Sequence, residues 1–341
     1  MHTVRKGNTV PDMSQSYFCS NSAGASYTVS RGEDMLEEQL RRVLPKSIQR
    51  ALQEQHMSFS KLQEIHLRLG LPLIVVSDNT EYVISKVIRK DEFQETLEYV
   101  TNYSIYAFEN ELKQGFITIE GGHRVGIAGQ VLIENGKVKN MKQISSMNIR
   151  VSHEVLSCAN IIMPHITRDK CICHTLIISP PRCGKTTLLR DIIRQISDGN
   201  KWVQGCTVGV VDERSELGGC YQGIPQNHLG VRTDILDCCP KAEGMLMLIR
   251  SMAPRVIAVD EIGSQEDIFA LEYAIHCGCK MIATMHGSSM EEVRNKPIFE
   301  RLVRERQFER YVVLGNRKRV GEILGVYDER GSLMFREGTG A

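Results

Sequence analysis

The segment Leu176–Arg190 carries the residues of this chain that are best suited to chemistry. It consists of an apolar run, a short loop that ends in Gly184-Lys185-Thr186, and a pattern of helical spacing. A strand, a loop and a helix in this order form a phosphate-binding P-loop, because the backbone N–H groups and the helix N-terminus attract anions. We therefore expect the loop to bind the phosphates of a nucleotide. The residues concerned are Ser179, Pro180, Pro181, Arg182, Cys183, Gly184, Lys185, Thr186 and Thr187.

Within this loop, Lys185 is expected to contact the β- and γ-phosphates, and the hydroxyl of Thr186 to bind Mg²⁺. The loop departs from the strict G-x-x-x-x-G-K-[ST] pattern, because Ser179 stands at the first glycine and Arg182 where a small residue fits more easily. The alternative interpretation is a helix start in which Gly-Lys-Thr occurs by chance. The apolar run before the loop and the helical spacing after it favour the P-loop.

A second pattern is the apolar run Val256–Val259, which Asp260 and Glu261 follow directly. This arrangement is typical of a Walker B strand. Asp260 is predicted to hold Mg²⁺ directly or through water, and Glu261 to orient or deprotonate the attacking water. The alternative is an ordinary strand with two exposed acids at its end.

Acidic residues follow another apolar run, Thr207–Val211, as Asp212 and Glu213. Ligand sites in open parallel sheets lie beyond the carboxyl ends of the strands, where carboxylates can act on a metal or a water. Glu213 is therefore a second candidate for activating water, and the choice between Glu213 and Glu261 stays open. A solvated strand end is the alternative interpretation.

The run Lys280–Met285 is a further predicted strand, with Thr284 and His286 at its end. Polar side chains at that position can sense a γ-phosphate through a hydrogen bond, and we assign this role to His286. The alternative is a histidine with a purely structural role.

These strands alternate with helical patterns, which predicts a doubly wound, mostly parallel sheet with flanking helices. The α/β domain is expected to span 151–341. The helical patterns begin near Gly184, Ala242, Gln265 and Ser289.

The chain before this domain has a different pattern. Residues 1–34 are rich in Ser, Asn, Gly and Thr and are predicted to be a disordered tail. Residues 35–150 are predicted to form a small α+β domain, with helices over 35–55, broken at Pro45, and over 91–100. A connector with a short helix is expected over 145–166. The predicted strands are Ile65–Leu69, Leu73–Val76, Tyr82–Ile84, Phe116–Ile119, Val125–Ile127 and Gln130–Ile133, with hairpin turns at Gly121-Gly122 and Asn135-Gly136.

Net charge, the length of the apolar runs and the number of cysteines limit the classes of protein to which the chain can belong. The formal net charge of +1 gives no bulk electrostatic reason to bind nucleic acid or an anionic membrane. The apolar runs are shorter than the ~20 residues that span a bilayer, and the N-terminus lacks the apolar core of a signal peptide. The 11 cysteines favour reduced thiols in a cytosol over a disulfide framework. We expect a cytoplasmic protein that can still bind a membrane protein.

The chain resembles the family of stage III sporulation protein AA, a relative of the ATPases of type II and type IV secretion systems. The P-loop, the acidic residues after Val211, the Walker B strand and His286 correspond to the four motifs of those ATPases. The more specific likeness lies in longer strings. These are Val208–Glu216, Gly219–Asn227, Asp237–Met245, Gly122–Gly126 and Ser146–Arg150.

The resemblance implies a RecA/AAA-like P-loop ATPase that uses ATP and Mg²⁺ in endospore formation. It also implies a homo-oligomeric ring, a hexamer, that lies at the mother-cell face of a membrane complex and acts with its membrane proteins. In such a ring an arginine of one subunit often serves its neighbour's nucleotide. Arg150 and Arg124 are our candidates, because they precede the ATPase domain and would face the next subunit. The alternative is that both are ordinary surface arginines.

Two other functions remain open. A nucleic-acid motor could use the basic stretches Arg301–Arg310 and Arg317–Arg319, although the interspersed Glu300, Glu305 and Glu309 favour an ion-paired helix face. A nucleotide-gated assembly scaffold with negligible turnover would be consistent with the departures from the strict P-loop.

Overall fold

The computed structural model describes residues 35–317 and 319–337. The predicted disordered tail, 1–34, lies outside the described residues, and so does Lys318 of the second basic stretch. The chain builds two large sheets, one on each side of a connecting segment that follows Arg150.

The first, N-terminal sheet has six strands in the order β3-β2-β1-β6-β5-β4, with every neighbouring pair antiparallel. Helices α1 (35–43) and α2 lie on either side of Pro45, so the predicted break in the helix is confirmed. The elements are α2 (Lys46–Glu54), β1 (Leu62–Arg68), β2 (Pro72–Ser77), β3 (Thr80–Val87), α3 (Lys90–Val100), α4 (Glu109–Gln114), β4 (Phe116–Ile119), β5 (His123–Glu134) and β6 (Lys137–Arg150).

Alternation of apolar and polar residues places one face of this sheet in a core with the helices. In β1, for example, Ile65 and Leu67 are fully buried, and the residues between and beside them are less so. The predicted hairpin turn at Asn135-Gly136 joins β5 to β6, and both residues have the positive φ that a tight hairpin requires. The two strands predicted between Val125 and Ile133 are one strand, β5, with an irregularity between Ala128 and Gln130.

The predicted connector over 145–166 is wrong in its first part. Residues Ser146–Arg150 belong to β6, and they pair with β1 on one side and with β5 on the other. Met147 and Ile149 are buried while their neighbours are less so, which is the period of a strand rather than of a linker. The short helix that we expected is present as α5 (Met163–Ile166).

The second, C-terminal sheet has eight strands in the order β11-β10-β12-β13-β9-β14-β15-β16. The strands from β11 to β14 are parallel, and β15 and β16 add an antiparallel edge. A two-stranded ribbon of β7 (Thr167–Arg168) and β8 (Cys171–Ile172) precedes them. The remaining elements are β9 (Thr175–Ser179), α6 (Lys185–Asp198), β10 (Val208–Asp212), β11 (Thr233–Asp237), α7 (Lys241–Ser251), β12 (Val256–Val259), α8 (Gln265–His276), β13 (Lys280–His286), α9 (Met290–Asn295), α10 (Pro297–Arg304), β14 (Arg310–Gly315), β15 (Glu322–Asp328) and β16 (Leu333–Phe335).

The central strands of this sheet are buried on both faces, since every residue of β9, β10 and β12 is buried. Separate apolar cores lie on the two faces, one with α6 and the other with α7 and α8. This confirms the predicted α/β fold. Strands β11 and β14–β16 were not predicted. The carboxyl ends of β9, β10, β12 and β13 meet at one edge of the sheet.

The basic stretch Arg301–Arg310 is only partly a helix face. On α10, Arg301 pairs with Glu272 of α8, and Arg304 pairs with Glu300 of the same helix. Arg310, by contrast, is buried in β14 and donates to the carbonyl of His165. Arg317 and Arg319 lie between β14 and β15, not on a helix. Among the helices of 35–317 and 319–337, none combines the length and apolar character needed to cross a membrane.

Candidate functional site

The P-loop connects β9 to α6 in a compact turn. Gly184 precedes α6 with a φ of 80°, a backbone angle that favours glycine. Arg182 also has a positive φ, and its side chain is exposed. Cys183 is buried, and the hydroxyl of Ser179 donates to the carbonyl of Pro180 over 2.8 Å. The loop thus closes on itself before the helix begins.

Thr186 begins a hydrogen-bonded chain to the Walker B strand. Its hydroxyl donates to Asp260 Oδ2 over 2.7 Å, and Thr284 donates to the other oxygen of that carboxylate. Thr284 Oγ1 also accepts the backbone N–H of Glu261 over 2.9 Å. The start of α6 and the carboxyl ends of β12 and β13 are therefore held together at one edge of the sheet.

Glu261 lies in a cluster of cations. Its Oε1 contacts Lys185 Nζ and, over 3.1 Å, His286 Nε2, and its Oε2 contacts Arg214 Nη1 over 2.8 Å. Burial raises the pKa of this carboxyl, but the hydrogen bond from Lys185 and the nearby charges outweigh burial and hold the pKa below its usual range. Glu261 has a φ of 57°, an uncommon angle for a residue other than glycine.

The acidic residues after β10 have two different environments. Asp212 is buried and accepts three backbone N–H groups at 2.8 Å, from Glu216, Leu217 and Gly218. Burial raises its pKa to about 6, although these donors favour the charged form. Asp212 thus fixes the start of a long segment, 213–232, which we call the acidic loop. Glu213 pairs with Lys241 and lines a small pocket together with Asp260 and Glu261.

A cleft of about 580 Å³ opens between the two sheets, and Thr186, Arg124 and Arg150 all line it. Arg124 Nη1 contacts Glu216 Oε1 over 2.8 Å, and its guanidinium stacks 3.7 Å from the ring centroid of Phe116. Arg150 lies opposite Arg124 in the strand register and is 62% exposed, with Glu64 at 3.9 Å. The structure thus brings both arginines into the cleft of the same chain that holds Thr186.

Sequence reasoning missed two arginines of the site. Arg190, one helical turn beyond Thr186 and on the same face of α6, donates to the carbonyls of Glu216 and Leu217 and joins the P-loop helix to the acidic loop. The i, i+4 spacing from Thr186 could have indicated it. Arg214 contacts Glu261, and nothing in its local sequence signals that contact.

The oxygen donors fit Mg²⁺ and disfavour a metal cage built from protein alone. Asp260 offers a carboxylate and Thr186 a hydroxyl, which suit a hard cation that keeps several waters and binds substrate phosphates. In the described part of the chain, no group of three or more His, Cys, Asp or Glu side chains could hold a metal ion. Every cysteine in that part is a free thiol.

Relatives of known sequence match most of the chain. The family model described as Sporulation stage III, protein AA, matches residues 34–334. Stage III sporulation protein AA of Bacillus subtilis (strain 168) is 42% identical over 295 residues, which cover 86% of this chain and 96% of that protein. The uncharacterized protein ycf45 of Porphyra purpurea is 25% identical over 305 residues, covering 88% of this chain and 49% of that protein.

Solved structures share the fold. The ATPase DotB of Legionella pneumophila superposes with a TM-score of 0.53 at 17% identity, over 79% of this chain and 76% of that one. The pilus retraction motor PilT, solved with bound ADP, gives a TM-score of 0.53 at 14% identity, over 78% of this chain and 76% of that one. These likenesses confirm the predicted α/β fold with a P-loop core.

Proposed function

The chain belongs to the family of sporulation stage III protein AA, and on that premise we propose that it is a Mg²⁺-dependent ATPase, the motor of a secretion-like channel complex in endospore formation. The observation that carries the proposal is the convergence of Lys185, Thr186, Asp260, Glu261 and His286 at one edge of the parallel sheet. These residues come from three separate elements, and together they offer what phosphoryl transfer needs: a phosphate cradle, a metal side and a base.

Each group has one role in the proposed reaction. The loop from Ser179 to Thr187 cradles the phosphates, with Lys185 on the β- and γ-phosphates, and Thr186 and Asp260 hold Mg²⁺. Mg²⁺ held there would supply positive charge that offsets the negative charge developing on the transferred phosphoryl group. Glu261 accepts the proton of the water that attacks the γ-phosphorus, as the bond to the β-phosphate oxygen breaks.

Further observations bear on these roles. Glu261 directly follows the metal-side Asp260, and its carboxylate contacts Lys185, the lysine proposed to bind the γ-phosphate. Glu213 lines the same pocket and stays the second candidate for the base. His286 contacts Glu261 and is placed to sense the γ-phosphate.

The resemblance to the family and to secretion ATPases supports a proposal for the oligomer and the partners. We propose a hexameric ring at the mother-cell face of a membrane complex, with the membrane proteins of that complex as partners. Arg150 and Arg124 are the proposed residues that serve a neighbouring subunit's nucleotide. Arg150 is the stronger candidate of the two, because its side chain is exposed in the cleft. Arg124 already binds Glu216.

ATP turnover with Mg²⁺, measured over a series of protein concentrations, tests the proposal. We expect Lys185→Ala and Glu261→Gln to abolish turnover, and Lys46→Ala, an exposed lysine on α2, to leave it unchanged. A steep rise of specific activity with concentration would support sites shared between subunits.

Nucleotide binding separates the motor from a scaffold. Wild-type protein that binds ATP tightly but does not hydrolyse it, with binding lost only in Lys185→Ala, would favour the nucleotide-gated scaffold. ATP hydrolysis in the purified membrane complex, but not in the isolated chain, would instead support a motor that is active only with its membrane partners. Binding to single-stranded nucleic acid that weakens with salt would favour the nucleic-acid motor.

A further inference from the structure

The carboxylate of Glu261 carries less charge than the cations around it. Lys185 and Arg214 are both positive, and His286 is a third partner that adds charge when protonated. The neighbouring carboxylate, Asp260, accepts the hydroxyls of Thr186 and Thr284 and lies on the proposed metal side of the site. An anion that displaced Glu261 would therefore meet the positive charges of both Lys185 and Arg214.

The geometry of the cluster matches a phosphoryl group. Lys185 and Arg214 contact different oxygens of one carboxylate, so that carboxylate bridges them. Lysine and arginine donors bind phosphate oxygens in the same way as carboxylate oxygens. Lys185 is the P-loop lysine, so a bound phosphate would replace Glu261 as its partner. That phosphate would then lie within reach of Arg214, which contacts the same carboxylate.

Arg214 is free to follow the phosphate. Its side chain is 62% exposed and lies in the acidic loop, directly after the Glu213 that lines the same pocket. Two other arginines near the site are engaged elsewhere, since Arg124 binds Glu216 and Arg190 binds two backbone carbonyls. Arg214 differs from the exposed Arg150 because it already contacts Glu261, the carboxylate on the P-loop lysine.

We propose that Arg214 is a further catalytic residue, which contacts the γ-phosphate of ATP bound in its own chain. The inference rests on the ATPase function proposed above. In the free protein Arg214 and Lys185 hold Glu261, and ATP takes both cations and releases the carboxylate to meet the attacking water. ADP, which lacks the γ-phosphate, leaves Arg214 on Glu261.

The ratio of ATP to ADP affinity tests this contact without any need for turnover. Titration with Mg²⁺ and each nucleotide should show that Arg214→Ala weakens ATP about 10- to 100-fold, the effect of losing one charge-assisted hydrogen bond. ADP binding should change less than about twofold, and Arg214→Lys should recover part of the ATP affinity. Arg255→Ala, an exposed arginine at the opposite edge of the sheet, is the control. Equal losses for ATP and ADP, or no loss for either, would overturn the proposal.

Mixed oligomers test whether the contact stays within one chain. Arg214→Ala and Lys185→Ala subunits each lack one part of the site, so a mixture should recover no turnover if both parts must belong to the same chain. Recovery on mixing would show that Arg214 acts across the interface and would overturn this part of the inference. If the wild type has no turnover either alone or in its membrane complex, the proposed function fails, but the ratio of ATP to ADP affinity still decides whether Arg214 contacts the γ-phosphate.

Discussion

The hydroxyl of Thr186, on the first turn of the P-loop helix, donates to Asp260 Oδ2 over 2.7 Å. This contact joins the two segments that the sequence singled out independently, and Thr284 extends it to a third strand by donating to the same carboxylate. Each half of the proposed metal site therefore depends on the other for its position before any ion binds.

Thr284 should be needed for the site because its one hydroxyl satisfies two groups. It is fully buried, donates to Asp260 and accepts the N–H of Glu261. Thr284→Val keeps the shape but leaves the N–H without its acceptor, which should lower the free energy of unfolding by about 1–3 kcal/mol. Urea denaturation measures this loss, and Thr284→Ser, which keeps the hydroxyl, should lose much less. Equal losses in the two variants would show that packing of the methyl group, not the hydroxyl, is what counts.

Arg150 should act on hydrolysis and not on nucleotide binding. Its guanidinium is exposed in the cleft, so removing it leaves the fold and the P-loop intact. Arg150→Ala should keep ATP affinity and lose about 10³-fold or more in turnover, the effect of an arginine that stabilises transition-state charge. Turnover should return in part when this variant is mixed with Lys185→Ala, since the intact arginine of one chain can serve the intact P-loop of another. Normal turnover of Arg150→Ala alone would exclude this role.

The sequence identified the central strands because they are buried on both faces. Leu176–Ile178 and Val256–Val259 are continuous apolar runs, as expected for strands that are covered on both faces. Strand β11 at the sheet edge is half-buried throughout, and its two apolar residues, Ile235 and Leu236, give no such run. In β14 the apolar run Tyr311–Leu314 lies directly after a stretch of charged residues, which obscures its boundary.

The contacts of the candidate site could be predicted only where a motif fixes them. The pairing of Thr186 with Asp260 follows from the P-loop and Walker B patterns taken together. The contact of Arg214 with Glu261 depends on the path of the acidic loop, which the buried carboxylate of Asp212 sets through three backbone N–H groups. No local period encodes a path of that kind, so only the folded chain reveals it.

Gly219 should be needed where the acidic loop meets the N-terminal sheet. Its φ is +55°, and a Cβ there would lie 3.1 Å from Asn227 Nδ2 and 3.2 Å from the Cα of Gly122. Gly223, in the same loop, has a φ of +77° but open space around its Cβ position. Both substitutions to alanine should cost about 1 kcal/mol for the backbone angle. Gly219→Ala should cost about 1 kcal/mol more, because the acidic loop and the turn at Gly122 must shift apart by a few tenths of an ångström to admit the methyl group.

Chemical denaturation and ATP turnover of these two glycine variants check the prediction. Gly219→Ala should also lose turnover, since Arg124 and Glu216 span the same contact between the sheets. Similar stability and activity in both variants would mean that the close approach of Gly219 to Gly122 does not hold the cleft together.

His123 should make the protein less stable in mild acid. The imidazole is buried beside the turn that contacts the acidic loop, and its Nδ1 accepts the N–H of Ser152 over 3.1 Å. Burial, helped by the charge of His153, lowers its pKa from 6.5 to about 4. Between these values the unfolded chain binds a proton that the folded chain does not, so stability rises with pH and is lost as pH falls below about 6.5.

His123→Asn isolates this effect, because the Asn Oδ1 can still accept the N–H of Ser152 but does not titrate. Near pH 7.5 we expect the two proteins to have similar free energies of unfolding. At pH 5 the wild type should have lost more. The slopes of the free energy of unfolding against pH should differ by about 1.4 kcal/mol per pH unit at most. Urea denaturation at several pH values measures that slope, with His56→Asn, an exposed histidine, as the control. Parallel profiles for wild type and His123→Asn would show that the buried imidazole does not set the acid limit. The half-buried His174 would then be the next group to test, since burial lowers its pKa to about 4 as well.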